Sequence, residues 1–176
     1  MHILIVGARG VGKSTLIRKM LEQNKKPLFG FLTKKEHGMA DPLLGDPIYI
    51  YEPGKPREHK QENLIGWCKE QRPTVRKEVF DRYAQKLKAP IDPEALILMD
   101  EIGFLEKVSP AFCEEILRLL DGDIPILAAV KDKDTDFLRT VRSHPKARCF
   151  YITEENRDAL LTEILQYIKI SRSKEA

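Results

Sequence analysis

Cysteine is scarce and poorly spaced for structural work. Cys68, Cys113 and Cys149 are odd in number and far apart, and no Cys-x-x-Cys or Cys/His cluster occurs. Neither a disulfide framework nor a zinc site is therefore expected, and reduced thiols in the cytoplasm are the simplest expectation. Long apolar runs are also missing. None approaches the ~20 residues that cross a bilayer, and the apolar residues 2–6 are too short and lack the basic lead of an export signal. Neither charge sign dominates: 30 basic against 27 acidic residues give a net charge of +3. That balance disfavours a nucleic-acid partner and a polybasic membrane surface. No internal repeat or low-complexity tract is present. At 176 residues with 42% apolar content, the chain is long enough to bury a core as one domain.

The chemistry begins at residue 7. The run Gly7-Ala8-Arg9-Gly10-Val11-Gly12-Lys13-Ser14-Thr15 follows the apolar residues 2–6 and opens into Leu16, Ile17, Met20 and Leu21 at helical spacing. Strand, glycine-rich loop and helix form the context in which G-x-x-x-x-G-K-[ST] binds phosphate. Glycines let the main chain curl until successive N–H groups face an anion, and the following helix adds the positive end of its dipole. The Lys13 ammonium is placed to reach β- and γ-phosphate oxygens, and the Ser14 hydroxyl to ligate Mg²⁺. Arg9 either covers the phosphates or faces solvent; the sequence leaves both open. Residues 7–15 are thus the candidate loop for ATP, GTP or another nucleoside triphosphate, with Mg²⁺ as cofactor.

The rest of the chain reads as alternating elements. Residues 28–33 and 47–51 are β-rich runs joined by a turn-rich loop, which predicts an antiparallel hairpin inserted after the first helix. Residues 52–74 are read as a largely breaker-rich connection, with Trp67 plugging a hydrophobic edge. The stretch 34–75 is a candidate lid or insertion. His37 and His59 are isolated from ligand partners and are expected at the surface. An amphipathic helix over 75–88 turns Val79, Phe80, Tyr83 and Leu87 inward. Residues 95–103 suit a parallel strand buried on both faces. A helix capped by Ser109, with Pro110 in its first turn and Gly122 at its end, comes next. Strands at 124–130 and 147–152 flank a helix over 135–143, with Phe137, Leu138 and Val141 inward. The last helix is capped by Thr153 and carries the stripe Leu160, Leu161, Ile164, Leu165 and Ile168, and residues 171–176 form a frayed polar tail. The expected fold is α/β: one domain over residues 1–176, with a mostly parallel sheet covered by helices on both faces.

Asp100 and Glu101 end the apolar run at 95–99, where open α/β sheets place ligands. After a phosphate loop, Asp100 is the expected Mg²⁺ holder, and Glu101 is the candidate general base for an attacking water. The bland alternative is an exposed acidic pair. Further positive charge for the transition state could come from Arg9, Lys131, Arg139, Arg142, Arg148 or Arg157, each of which has solvated surface as its default role. Asp100-Glu101-Ile102-Gly103 also fits the D-x-x-G of GTPases, but Lys131-Asp132-Lys133-Asp134 does not fit their N-K-x-D, so a Ras-like GTPase is disfavoured while GTP remains a possible substrate.

The order of these motifs resembles the small P-loop nucleoside-triphosphatases, the group of the thermophile nucleoside-triphosphate phosphatases and a vertebrate cancer-related nucleoside-triphosphatase. The resemblance rests on residues 7–15, Gly30-Phe31-Leu32-Thr33, Asp100-Glu101-Ile102-Gly103-Phe104-Leu105-Glu106, Ser109-Pro110-Ala111-Phe112 and Thr153-Glu154-Glu155-Asn156-Arg157-Asp158. It implies Mg²⁺-dependent, slow hydrolysis of nucleoside 5′-triphosphates with broad base tolerance, and places Asn156 and Arg157 near the nucleotide. The departure is at 34–75, where Lys34-Lys35-Glu36-His37-Gly38 stands in place of the family's Glu-Val-Arg and basic hairpin. Alternatives are a nucleotide or small-molecule kinase, whose acceptor pocket would involve residues 34–75, and a nucleotide-binding switch activated by a partner. No residue pattern identifies a protein partner.

Overall fold

The computed structural model describes residues 1–103 and 108–175; Phe104, Leu105 and Glu106 of the motif above lie outside them. The elements run β1 (His2–Gly7), α1 (Lys13–Leu21), β2 (Leu28–Lys35), β3 (Asp46–Tyr51), β4 (Leu64–Lys69), β5 (Arg72–Val75), α2 (Lys77–Leu87), β6 (Leu96–Ile102), α3 (Pro110–Asp121), β7 (Ile126–Lys131), α4 (Asp136–Arg142), β8 (Ala147–Tyr151) and α5 (Arg157–Glu175). The strands form one eight-stranded sheet in the order β5-β4-β3-β2-β6-β7-β1-β8. From β2 to β8 every pairing is parallel; β3, β4 and β5 extend the sheet antiparallel from β2.

Strand alternation splits the apolar residues between two cores. Leu4 and Val6 of β1 pack with Phe80, Phe112, Ile116 and Leu138 on the face covered by α2, α3 and α4. Ile3 and Ile5 pack with Leu16, Ile17, Leu160 and Ile164 on the face covered by α1 and α5. Every residue of β1 is buried. This is why the parallel strands read as unbroken apolar runs instead of alternating ones.

The start of α3 follows the predicted chemistry. Ser109 caps α3, its hydroxyl accepting from Phe112 N at 3.2 Å and donating to Asp81 Oδ1 at 2.6 Å. Thr135 caps α4 by accepting from Leu138 N. Trp67 is half-buried against Tyr49, Tyr51 and Leu64, the edge-plugging role expected of it. Gly30 illustrates how closely β2 and β6 approach. It sits at φ +114, and a Cβ there would lie 2.1 Å from Leu98 O, so any other residue would push the two strands apart.

The differences concern turns and ends. The expected connection over 52–74 contains β4, and β5 begins within it. The turn that joins these strands is Glu70-Gln71, both with positive φ (47° and 65°). Two-residue hairpins need that geometry, but Asn-Gly or Asp-Gly normally announces it. Pro73 suggests a break, yet β5 is an edge strand that tolerates proline. Gly122 ends α3 in an extended conformation (φ −71°, ψ −178°), not the left-handed one. Thr153 does not cap α5 directly; α5 starts at Arg157, and the N–H groups of Ala159 and Leu160 bond to Asn156 O. Thr153 instead closes the preceding turn, exchanging bonds with Asn156. Leu165 is exposed while Leu160 and Ile164 are buried. The helix also runs on to Glu175, through most of the expected tail.

His2 is a buried polar group outside the site. Its Nε2–H donates to Leu120 O at 2.9 Å and Gly122 O at 3.2 Å, and Nδ1 has no partner. Burial, and next the N-terminal ammonium, hold its pKa below the ordinary 6.5. The unfolded chain therefore takes up a proton near pH 6.5 while the folded chain does not, so this residue's contribution to stability falls as pH drops below 6.5. In thermal melts from pH 8 to 5, the parent should lose more Tm than His2→Gln; parallel curves would refute a neutral folded imidazole.

Candidate active site

Topology brings three strand ends together. β1 and β6 are separated in the sheet only by β7, and all three run parallel. Gly7 lies in register with Lys131, and Asp100 with both Ala129 and Leu32. The glycine-rich loop, the acidic pair and Lys131 therefore leave the sheet at the same edge. The β6–β7 register shifts between Asp100 and Ile102, and the Asp100–Glu101 peptide is cis.

Gly12 is the N-cap of α1 with φ 107°, a left-handed conformation that glycine adopts without a Cβ penalty. It turns the loop directly into the helix, which starts at Lys13. That residue is only 4% exposed. Its ammonium donates to Gly7 O at 2.9 Å and Ala8 O at 2.7 Å, and pairs with Glu101 Oε2 at 2.9 Å. Lys131 pairs with the other oxygen, Glu101 Oε1, at 3.2 Å. The Glu101 N–H donates to Thr33 Oγ1 at 3.2 Å. Glu101 is thus fixed by β1–α1, β2 and β7 at once.

Ser14 Oγ donates to Asp100 Oδ1 at 2.9 Å. Burial pushes the Asp100 carboxyl up to about 6, opposed by the Ser14 hydrogen bond; the Glu101 charge raises it further, and Lys13 and Arg57 lower it. A carboxylate and a hydroxyl, both hard oxygen donors, meet where the carboxylate has lost most of its hydration. This donor set suits Mg²⁺, which favours oxygen ligands and retains several waters.

A cavity of about 390 Å³ is lined by Gly7, Ala8, Arg9, Ser14, Asp100, Glu101 and Lys131, with Thr33, Lys34 and the β4–β5 turn on its far wall. Arg9 is exposed on its rim. Gly10 has positive φ and open space around it; Val11 packs against Gly7. Thr15 lines a second cavity that shares Ser14 and Asp100. Arg157 stands beside the loop, its Cδ 4.0 Å from where a Gly12 Cβ would be. Asn156 is occupied by the turn, donating to Tyr151 O at 2.8 Å and accepting from Thr153 N at 2.8 Å. Three other basic residues point elsewhere: Arg139 to Asp134 and Asp136, Arg142 to the Lys133 carbonyl, and Arg148 over Tyr167. Lys131 and Thr33 are the partners of Glu101 that side-chain types alone do not reveal. The available signal for Lys131 was positional, since it ends β7's apolar run as Gly7 ends that of β1.

Comparisons with known proteins agree with this layout. A family model described as NTPase matches residues 2–165. The chain is 29% identical over 178 residues to the nucleoside-triphosphatase THEP1 of Thermotoga petrophila, covering 99% of this chain and 96% of the relative. It is 25% identical over 191 residues to the cancer-related nucleoside-triphosphatase homolog of Bos taurus, covering 97% and 98%. The crystal structure of THEP1 from Aquifex aeolicus superposes with a TM-score of 0.67 at 25% identity, over 95% of this chain and 98% of that one. The solution structure of a human cancer-related nucleoside triphosphatase superposes at 0.66 and 23% identity, covering 97% and 98%, a likeness of fold. With a family model spanning β1 to within α5 and the glycine-rich loop, acidic pair and Lys131 gathered at one sheet edge, this chain belongs to the NTPase family.

Proposed function

We propose that the chain hydrolyses nucleoside 5′-triphosphates to diphosphate and phosphate, with Mg²⁺ and broad base tolerance, as one P-loop domain over residues 1–176. The observation that carries this reading is the Lys13–Glu101 contact at 2.9 Å: the lysine that would hold the terminal phosphates lies within reach of the carboxylate that would activate water. The triphosphate seats on the N–H groups of residues 7–15, with Arg9 and Arg157 at its flanks. Ser14 and Asp100 would hold Mg²⁺, which would supply charge neutralisation to the triphosphate. Lys13 leaves Glu101 for those oxygens, and Lys131 and Thr33 keep Glu101 in place. Glu101 accepts a proton from water as the water oxygen bonds to Pγ. The bond from Pγ to the β–γ bridging oxygen breaks, its electron pair leaving with the nucleoside diphosphate. Lys13 and a flanking arginine balance the developing charge.

The cytoplasm is the proposed location, the compartment favoured by three scattered cysteines that form no Cys-x-x-Cys pair. Among the described residues no helix is long and apolar enough to cross a membrane.

Phosphate release should be measured with ATP, GTP, CTP and UTP in turn, each with Mg²⁺ and with EDTA. All four are expected to be hydrolysed within about tenfold of one another, and EDTA should reduce turnover by at least ~10²-fold. Hydrolysis of a single base only, or full activity in EDTA, would overturn the corresponding part of this reading.

A further inference from the structure

The second cavity, about 510 Å³, lies on the α1 face of the sheet between α1, β2 and residues 53–57. It shares Ser14, Thr33, Lys34 and Asp100 with the first cavity. The two spaces therefore meet where the terminal phosphate of a loop-bound triphosphate would stand. Leu21, Leu28, Leu32 and Leu98 give it an apolar floor, and Arg18, Lys34 and Arg57 give it a cationic rim.

The rim has a structural origin. Arg18 follows Ser14 by four residues, so it stands one turn further along the same face of α1. Arg57 is brought over by the breaker-rich run after β3, its guanidinium 5.7 Å from the Tyr51 ring centre. Among the described residues neither Arg18 nor Arg57 has a carboxylate within ion-pair distance, whereas Lys34 has Glu36 at 3.6 Å. Among the described residues, the sole acid in the wall is Asp100, already engaged by Ser14. Two guanidinium groups without carboxylate partners suit phosphate oxygens, which they can hold bidentately. The leucine floor suits an apolar or aromatic moiety, and the volume lies in the range of small-molecule sites.

The geometry points to a binding site for a nucleoside monophosphate in this second cavity, placed to accept the γ-phosphoryl group. The inference rests on the triphosphate occupying the loop as proposed above. An oxygen of the monophosphate attacks Pγ, and the bond from Pγ to the β–γ bridging oxygen breaks with its electron pair. Triphosphate and monophosphate become two diphosphates. A phosphate dianion carries no proton on the attacking oxygen, so Glu101 has no proton to accept in this transfer.

The test incubates the chain with γ-labelled ATP, Mg²⁺ and each of AMP, GMP, CMP and UMP, and measures labelled diphosphate and free phosphate separately. At least one monophosphate is expected to become labelled. The Arg18→Ala/Arg57→Ala variant should lower that transfer at least tenfold while leaving phosphate release without monophosphate within about twofold of the parent. Phosphate release with no labelled diphosphate from any of the four overturns this inference and leaves hydrolysis standing. Transfer that the double variant leaves unchanged, or that a monophosphate blocks by displacing ATP, also overturns it. Transfer without phosphate release supports it and overturns the hydrolysis reading. Neither product overturns both.

Discussion

Glu101→Gln is expected to bind triphosphate at least as tightly as the parent and to lower kcat by about 10²–10⁴-fold, the range a positioned general base contributes. The two halves of this result have separate causes. The amide keeps the shape of the carboxylate, and its oxygen can still meet Lys131 or Lys13, so the wall of the cavity persists. It cannot take the proton from water, so turnover falls. Binding does not suffer because Glu101 holds Lys13 at 2.9 Å in the resting site. Weakening that contact frees the ammonium for phosphate oxygens. Measuring Kd with a non-hydrolysable analogue and kcat by phosphate release separates the two. Hydrolysis at the parent rate would show that Glu101 is not the base.

Lys13→Ala is expected to weaken triphosphate binding by about 10²-fold or more, because a desolvated charge-assisted contact to phosphate costs several kcal/mol to lose. The substitution also removes the partner of Gly7 O, Ala8 O and Glu101 Oε2. Leaving such groups buried without a donor typically costs about 1–3 kcal/mol, more for a charged one. A Tm a few degrees below the parent should therefore accompany the loss, and a melt checks that the variant remains folded. A folded Lys13→Ala that binds triphosphate at parental affinity would remove the loop from the site.

Most of the candidate site is legible in the sequence because its chemistry is local. A glycine-rich loop must lie between its strand and its helix, and an acid ending a buried strand must emerge at the sheet edge. Lys131 was harder. Its role depends on β7 lying between β1 and β6, and strand order is a tertiary fact that no window of sequence holds. The fold divides in the same way. The parallel strands are legible as apolar runs buried on both faces, and Ser109 as a cap. β4 and β5 were obscured by a positive-φ turn built from Glu70 and Gln71 and by a proline on an edge strand. Asn156 precedes Arg157, which stands beside the loop, yet its side chain is consumed by the β8–α5 turn, which only hydrogen-bond geometry reveals.

The burial of Lys13 bears on how nucleotide binding should respond to solvent. Its ammonium is stripped of water in the resting fold and already faces an anion. Binding therefore exchanges one anion, Glu101, for another, the phosphate, and little of the lysine's hydration remains to be removed at that step. Glu101 acts as an internal competitor that sets a ceiling on affinity, and it gives the lysine somewhere to return when the product departs. The contribution of Lys13 to affinity should accordingly vary little with ionic strength, while the exposed Arg9 and Arg157 carry most of the salt dependence.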